Sequence, residues 1–280
     1  MRDETFIRLM ALLPKSALSA AVGRATRARA PASVHRFAMR AFAKRYGVSL
    51  EEAEHDFHGY STFAEFFSRR LKPGLRPIEG GERVVISPVD GRVSQAGYAA
   101  GAECLQAKGI SYSLEKLLGS AEALAPFADG AFATLYLAPR DYHRIHAPLS
   151  GQIEAYAYIP GEFWPVNPRS VRSKRALFCV NERLITFLRT PAGRCAVAKV
   201  GATCVARIRA SYGDVLTHSG KPGVVHRFPQ PIEIRKGDEL GAFEMGSTVI
   251  LLFEKGRVRW ASSLIEGAPV TMGQRIGEAT

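Results

Sequence analysis

Three residues that lie far apart in the chain have the side-chain types that activate a hydroxyl nucleophile. Asp90 could orient His146, and His146 could deprotonate Ser247, as in the triads of acyl-transfer enzymes. Ser247 follows Gly246 and precedes an apolar run over residues 249–253 that predicts a buried strand. A hydrolase commonly carries its serine in a G-x-S-x-G turn between strand and helix instead. Because glycine tolerates strained conformations, this pair suits attack of the hydroxyl on the chain's own Gly246 carbonyl.

Each of these residues also has an ordinary structural explanation. Glycine and serine together are common in turns, and an aspartate before glycine, as in Asp90-Gly91, often makes an Asx turn. His143 and His146 lie on a predicted loop between two prolines, where they could be a surface pair, a general base or ligands of a metal ion. The metal reading has little support, since no H-E-x-x-H pattern and no third ligand accompany them.

The charge of the chain indicates an anionic partner. The 280 residues carry a formal net charge of +12, with 46% hydrophobic and 23% charged residues, as in a folded protein with a large core. Seven basic residues and no acidic ones fall between positions 24 and 45: Arg24, Arg27, Arg29, Arg36, Arg40, Lys44 and Arg45. Nucleic acid and an anionic membrane surface both fit this pattern.

Cysteine usage and hydropathy predict a cytoplasmic protein that reaches a membrane surface at most. The four cysteines are scattered without a C-x-x-C pair, which favours reduced thiols. No run approaches the roughly 18 apolar residues of a spanning helix, and the N-terminus does not resemble a cleaved signal.

The first part of the chain is predicted to be helical. Apolar residues at helical spacing predict one helix over residues 4–22, broken at Pro14, and a second from Pro31. The second would place an apolar stripe opposite a basic face; its members are Val34, Phe37, Ala38, Ala41 and Phe42. This pattern fits a helix in a membrane interface and equally a helix packed on the core. Capping boxes at Ser49 and Thr62 predict two short helices.

From residue 84 onward the sequence predicts short strands. The clearest cover residues 84–86, 133–137, 152–159, 184–188, 196–200, 205–210 and 249–253, with one helix over 113–118. A glycine- and proline-containing linker at 69–81 precedes them. A near-repeat, SPVDGRV at 87–93 and APLSGQI at 147–153, indicates a folded-over domain. The fold class is therefore α+β, with N-terminal amphipathic helices before a mainly antiparallel, sandwich-like domain.

Several sequence blocks, in order, resemble the pyruvoyl-dependent phosphatidylserine decarboxylases of bacteria. They are SPVDG at 87–91, PRDYHRIH at 139–146, PGEFWPVN at 160–167, NER at 181–183, VGA at 200–202 and GST at 246–248. The resemblance covers most of the chain.

The resemblance implies a chain that cleaves itself. Asp90 would orient His146, and the deprotonated Ser247 hydroxyl would attack the Gly246 carbonyl to form an ester. Elimination would leave a β chain of residues 1–246 and an α chain of residues 247–280 that begins with a pyruvoyl group derived from Ser247. This cofactor would form a Schiff base with phosphatidylserine and accept charge as CO₂ leaves. His143 would reprotonate the carbon, and phosphatidylethanolamine would be released.

The resemblance also implies where the protein works. Because the substrate is an anionic lipid, residues 1–72 are expected to bind an anionic membrane surface, and not nucleic acid, peripherally on the cytoplasmic side of the cell membrane. Residues 82–280 would be the catalytic domain, with Phe163 and Asn167 as candidates for binding the substrate. The cleaved α and β chains would form a heterodimer that dimerises further, and no metal is expected.

Two other functions fit parts of the sequence. A metal-dependent hydrolase would use His143 and His146. A non-enzymatic carrier-like module would use the proline- and glycine-containing near-repeat, which resembles folds that carry swinging cofactors. Such a carrier should present a modifiable lysine at an exposed hairpin tip, and no lysine stands out by its spacing.

Overall fold

The computed structural model describes residues 3–107, 109–203, 207–217, 222–244 and 248–280. The predicted cleavage site, Gly246 and Ser247, lies outside the described residues. Glu244 and Thr248, which border the undescribed segment, are described. The elements that approach the site from both sides are therefore known.

The N-terminal part is helical, as the apolar spacing predicts. Its helices are α1 (Asp3–Leu12), α2 (Lys15–Arg27), α3 (Ala32–Tyr46) and α4 (Phe63–Phe67). Pro14 separates the first two, since proline cannot donate a backbone hydrogen bond. Pro31 precedes α3, and Gly47 ends it in the left-handed conformation with φ of +73°.

One of the two predicted capping boxes is present. Thr62 Oγ1 accepts a hydrogen bond from Glu65 N at 3.2 Å and starts α4. The helix predicted after Ser49 is wrong. The Glu52 carboxylate, which should cap it, accepts a hydrogen bond from Arg76 Nη2 at 2.8 Å instead.

From residue 84 the described chain consists mainly of strands. They are β1 (Val84–Ile86), β2 (Gly91–Tyr98), β3 (Glu103–Ala107), β4 (Ile110–Ser113), β5 (Ala131–Tyr136), β6 (Arg144–His146), β7 (Gly151–Ile159), β8 (Arg183–Thr190), β9 (Gly193–Val200), β10 (Ile208–Ala210), β11 (Val224–Ile234), β12 (Glu239–Phe243), β13 (Thr248–Phe253), β14 (Val258–Trp260), β15 (Pro269–Val270) and β16 (Arg275–Ala279). Short helices between them are α5 (Leu114–Leu118), α6 (Ala121–Leu124), α7 (Pro168–Ser173) and α8 (Leu177–Val180), with a 3-10 turn at Ala125–Phe127.

The central element of the fold is β13, the strand that begins directly after Ser247. It lies inside an eight-stranded antiparallel sheet of order β11-β7-β8-β9-β13-β5-β2-β15. Thr248 pairs with Val200 on one side and with Tyr136 on the other. Every residue of β13 is buried, which explains its continuous apolar sequence. The predicted α+β class with mainly antiparallel sheets is confirmed.

A smaller sheet of order β10-β12-β6 carries the candidate histidines. In its register Glu239 faces His146 and Ala242 faces Arg144. Residues 144–146 therefore form a strand, and the prediction that both histidines lie on a loop is wrong for His146. β6 pairs with β12, which ends at Phe243, shortly before the undescribed segment 245–247. The remaining strands make a sheet of order β1-β16-β14 and the pair β3-β4.

Each copy of the near-repeat leads into a strand of the eight-stranded sheet. Gly91 begins β2 and Gly151 begins β7, and at each glycine a Cβ atom would clash with a carbonyl oxygen of the neighbouring strand. A backbone hydrogen bond from His146 N to Pro88 O, at 2.9 Å, joins the strand before the second copy to the first copy. This contact brings the loop that carries Asp90 next to the strand that carries His146.

The N-terminal helices pack on the β-rich part of the chain. Lys15 Nζ, at the start of α2, lies 4.2 Å from the centre of the Trp164 ring, and Arg27, at its end, forms an ion pair with Glu244 at 3.1 Å. In the part of the chain that the structure describes, no single helix is long and apolar enough to cross a bilayer. The pair Thr5–Leu12 and Lys15–Arg27 meets that criterion only jointly and is bent by 70°.

A lysine is buried in the middle of the eight-stranded sheet. Lys199 on β9 is fully buried, and its Nζ donates a hydrogen bond to Thr186 Oγ1. Burial without a countercharge lowers the pKa of Lys199 to about 7. Between that pKa and the ordinary value of 10.5, the unfolded chain holds a proton at this site that the folded chain lacks. The lysine therefore contributes stability that rises with pH in this window.

Replacing this lysine by methionine, Lys199→Met, should flatten the pH dependence of stability. We expect the free energy of unfolding of the unmodified protein to rise by about 2 kcal/mol more than that of the variant between pH 7 and 9. Urea unfolding at both pH values measures this, with the exposed Lys255→Met as the control. Equal slopes for the two proteins would show that the amine is not held neutral by burial.

Candidate active site

Both ends of the undescribed segment 245–247 are fixed to the sheets. At the end of β12, Phe243 N donates a hydrogen bond to His143 O at 2.9 Å, and Glu244 N donates to Arg207 O at 3.0 Å. Thr248 then begins β13 in the central sheet. The chain thus enters the cleavage segment directly beside His143.

His143 is completely buried, and one of its ring nitrogens has no hydrogen-bond partner among the described residues. Its Nδ1 donates to Asp141 O at 2.7 Å, because a carbonyl oxygen can only accept. Nε2 is buried and has no hydrogen-bond partner among the described residues, so in the neutral ring it is a free acceptor. The ring packs on Phe67 with 4.2 Å between centroids, and burial lowers the pKa of His143 to about 3. The surface-pair interpretation of these histidines is wrong.

His146 is also buried, with 7% of its surface exposed. Its Nδ1 donates to the carbonyl oxygen of Gly237 at 2.7 Å, which fixes the ring and leaves Nε2 as the acceptor. The Tyr142 hydroxyl lies 3.1 Å from that Nε2. Burial lowers the pKa of His146, while the Gly237 carbonyl and the charges of Glu239 and Asp90 oppose the shift. A neutral imidazole of this tautomer is suited to act as a general base.

Asp90 lies near His146 but is held by other groups. Arg76 donates to its two carboxylate oxygens, with Nη2 to Oδ2 at 2.6 Å and Nε to Oδ1 at 3.0 Å. Met272 N donates to Oδ1 at 2.8 Å. The arrangement differs from the predicted one, in which Asp90 orients His146: that role falls to the Gly237 carbonyl, and Asp90 acts on His146 through its charge.

The predicted substrate-binding residues hold the loop that precedes α7. Phe163 is buried, and its carbonyl oxygen accepts a hydrogen bond from Thr203 Oγ1. Asn167 Oδ1 caps α7 by accepting from Ser170 N at 2.9 Å. Asn181 ties the same loop to the sheet, with Nδ2 donating to Trp164 O and to Gly201 O, both at 2.8 Å.

A cavity of about 290 Å³ adjoins Thr248. Its lining comes from β2, β5, β13 and the segment around α7, which contributes Val166 and Val171. Neither Phe163 nor Asn167 belongs to the described lining. Instead, Asn167 caps α7, which contributes to the lining, and Phe163 holds the loop that precedes this helix.

Sequence reasoning missed three groups of the site. Arg76 belongs to the predicted linker, Tyr142 was part of a motif without an assigned role, and Gly237 acts through a backbone carbonyl. The third has no side-chain signal at all. Tyr142 could have been suspected, because it precedes His146 by four positions and lies between Asp141 and His143.

The geometry does not resemble a metal site. Both ring nitrogens of His146 already have hydrogen-bond partners, the Gly237 carbonyl and the Tyr142 hydroxyl. The Nε2 of His143, which has no partner among the described residues, is fully buried. Within the described ranges, no group of three or more His, Cys, Asp or Glu side chains is placed to hold a metal ion. Among the described residues, the two histidines therefore have no third ligand beside them that a metal ion would need.

Comparison with known proteins gives a consistent assignment. A sequence model of the family described as Phosphatidylserine decarboxylase matches residues 63–278, and a second one, described as PSD, matches residues 5–47. The protein of Myxococcus xanthus named Phosphatidylserine decarboxylase proenzyme is 65% identical over 280 residues, covering all of both chains. A protein of the same name from Anaeromyxobacter is 55% identical over 282 residues, again with full coverage of both chains.

A more distant relative agrees with these two. The Phosphatidylserine decarboxylase proenzyme of Halorhodospira halophila is 44% identical over 241 residues, which are 85% of this chain and 82% of the relative. The chain belongs to the phosphatidylserine decarboxylase family.

Proposed function

We propose that the chain is a proenzyme that cleaves itself between Gly246 and Ser247 and then decarboxylates phosphatidylserine to phosphatidylethanolamine. The observation that carries this proposal is the placement of the two buried histidines. They lie on and beside β6, which pairs with the strand that leads into the cleavage segment. Each has Nε2 as its acceptor. Family membership and the proenzyme names of the relatives support the same function.

A pyruvoyl group made from Ser247 fits the described surroundings. It would be joined to the backbone nitrogen of Thr248, whose strand is buried in the centre of the sheet. His143 Nε2 and Thr248 Oγ1 are buried polar atoms without a described partner, so they are available to the group or to its substrate. The group supplies an electron sink for the charge left by CO₂, which no ordinary side chain provides.

In self-cleavage, His146 accepts the proton of the Ser247 hydroxyl at Nε2. The Gly237 carbonyl keeps the ring in the required tautomer, and the negative charge of Asp90 favours the protonated ring that forms. The Tyr142 hydroxyl lies 3.1 Å from this Nε2, so it must move away before the nitrogen can accept the proton of Ser247. Arg76 keeps the Asp90 carboxylate in place throughout.

In decarboxylation, His143 moves the proton. The serine headgroup arrives with its amine as an ammonium, and the amine must lose a proton before it can react. His143 Nε2 is a free acceptor with a low pKa, so it starts the cycle deprotonated. Burial makes the neutral ring a weak base and its protonated form a strong acid, so the role that this environment favours is delivery of a proton to the carbon that has lost CO₂.

The two chains should stay together after cleavage. The α chain of residues 247–280 would contain β13, which is hydrogen-bonded between β5 and β9 of the β chain. β16 also pairs with β1, and β15 with β2. Separating the two chains would therefore remove β13 from the sheet and break its hydrogen bonds with β5 and β9. Further dimerisation of this heterodimer is proposed from the family resemblance, and light scattering would test it.

We also propose that residues 1–72 bind an anionic membrane surface at the cytoplasmic side of the cell membrane. The buried face of α3 consists of His35, Met39 and Ala43, and none of them belongs to the predicted apolar stripe. Of that stripe, Phe42 is half-buried and the other four residues are exposed. Large apolar side chains in and between the first three helices are exposed: Leu9, Leu12, Leu13, Leu18, Val34 and Phe37. Exposed apolar groups next to a basic segment are typical of interfacial helices.

Introducing charge among these apolar groups should weaken membrane binding. For the double variant Leu12→Glu, Phe37→Glu we expect binding to anionic vesicles to fall at least tenfold, since each inserted side chain contributes about 1.5–3 kcal/mol. Co-sedimentation with vesicles measures this, with Val225→Glu on β11 as an exposed control. Unchanged binding of the double variant would remove the helices from the interface.

The function itself is tested by intact mass and by turnover. The purified protein should separate under denaturing conditions into fragments of 246 residues and 34 residues (280 − 246 = 34), the smaller with a blocked N-terminus. It should convert short-chain phosphatidylserine to phosphatidylethanolamine and lose this activity on treatment with borohydride. An uncut chain from an active preparation would overturn the proposal.

A further inference from the structure

The cavity next to Thr248 combines an apolar interior with charged groups at its edge. Val93, Val166 and Val171 contribute apolar lining, and Tyr136 and Thr248 contribute the wall formed by the central sheet. Its volume of about 290 Å³ suits a small polar headgroup and is too small for two acyl chains. It adjoins the position at which the pyruvoyl group would be attached.

Thr248 gives the cavity an unsatisfied polar atom. The residue is 1% exposed, and its Oγ1 has no hydrogen-bond partner among the described residues. Buried hydroxyl groups in folded proteins nearly always have a partner, so an orphan that lines a cavity indicates a ligand there. Because Thr248 directly follows Ser247 in the chain, this ligand would lie close to the reacting group.

Two arginines and one glutamate supply the charge of the cavity. Arg92, on β2, and Arg172, on α7, are exposed and line it, and neither forms an ion pair with a described residue. Arg92 Nη1 donates one hydrogen bond, to Gly267 O at 3.0 Å, and keeps its other donors. Glu266 is the acidic group of the lining. The three leave one positive charge, which a single phosphodiester would neutralise.

We infer that this cavity is the headgroup site, in which Arg92 and Arg172 bind the phosphodiester of the lipid while Thr248 Oγ1 hydrogen-bonds the serine part. The inference rests on the proposed function for the identity of the substrate. The apolar interior receives the end of the headgroup that reacts, and loss of a carboxylate as CO₂ is favoured where water is excluded. The charged edge keeps the phosphate near solvent, from which the acyl chains can extend toward a membrane.

A cavity of greater volume does not offer this combination. It measures about 630 Å³ and lies between α5, α6 and β11. Thr248 does not line it among the described residues, whereas Thr248 lines the smaller cavity. A headgroup bound there would not adjoin the position at which the pyruvoyl group would be attached.

Neutralising either arginine should weaken recognition of the phosphate. For Arg92→Met and for Arg172→Met, we expect the KM for short-chain phosphatidylserine to rise about tenfold each, as for loss of a charge-assisted hydrogen bond. With a serine ester that lacks the phosphate, the KM should change less than twofold, because the lost partner is absent. Arg259→Met, an exposed arginine on β14 outside the cavity, is the control with the same change in charge.

Binding to the inactivated enzyme gives a readout that needs no turnover. The processed protein is reduced with borohydride, and calorimetry measures its affinity for short-chain phosphatidylethanolamine and for inorganic phosphate. Both arginine variants should bind the lipid about tenfold more weakly than the control variant. If inorganic phosphate competes with the lipid at a similar concentration, the site binds free phosphate. If phosphate does not compete, the site recognises the lipid headgroup.

The outcomes separate this inference from the proposed function. If the protein is processed and active but both variants keep the KM and the affinity of the control, the headgroup lies elsewhere and the inference is wrong. If a variant raises the KM equally for both substrates, the arginine is structural, which also overturns it. A protein without any turnover contradicts the proposed function, whereas the binding measurement still decides the inference.

Discussion

Replacing the candidate nucleophile, Ser247→Ala, is expected to leave one uncut chain of 280 residues without decarboxylase activity. The hydroxyl is both the attacking group in cleavage and the source of the pyruvoyl group, so its loss removes the scissile reaction and the cofactor together. A methyl group can do neither. We expect less than 1% of the cleavage and of the turnover to remain, measured by intact mass and by release of CO₂ from phosphatidylserine, since nucleophile removal typically costs a factor of 10³ or more.

This variant should nevertheless fold normally. β13 keeps its pairs with β5 and β9, and Phe243 keeps its hydrogen bond to His143 O. Thermal unfolding and circular dichroism should therefore match those of the unprocessed chain. Ser262→Ala, at an exposed serine in the same C-terminal part, is the matched control and should be cut and active. Cleavage of the Ser247→Ala protein at the same bond would mean that another group attacks Gly246.

The central strand β13 could be predicted because a strand buried on both faces requires a continuous run of apolar residues in the sequence. All residues of β13 are buried, and a run of apolar residues after Gly246-Ser247-Thr248 is the expected consequence. The strand β11 was missed for the opposite reason. It contains Pro229 and Pro231, which argue against a strand, yet it lies at the edge of the sheet, where proline is tolerated.

The partners of the candidate residues could not be predicted in the same way. Asp90 and His146 are recognisable by type and by the family blocks, but their contacts are made by the folded chain. Gly237 is separated from His146 by 91 positions and contributes a carbonyl oxygen, which every residue type has. Arg76 reaches Asp90 from a segment whose composition indicates only a linker. Residue type thus indicates the candidate reacting groups, and tertiary structure alone shows what contacts them.

Replacing the buried acceptor, His143→Ala, should separate cleavage from decarboxylation. We expect the variant to be cut and its decarboxylation rate to fall by about 10²–10⁴, the usual contribution of a general acid–base group. His143→Gln is the sharper variant, since it can still donate a hydrogen bond yet cannot transfer a proton near neutral pH. It should be as inactive as His143→Ala while restoring part of the stability lost with the ring that packs on Phe67.

The same measurements on His146→Ala provide the contrast, because that variant should fail mainly in cleavage. The alternative is that His143, and not His146, is the base for Ser247, because His143 lies closer to the cleavage site in the strand register. His143 O is bonded to Phe243 N, whereas His146 faces Glu239, four residues further from Gly246. If His143→Gln is neither cut nor active, His143 is the base for Ser247, and its position in the register explains why. If it is cut and turns over normally, His143 has no part in proton transfer, and its unpaired Nε2 would be a feature of packing only.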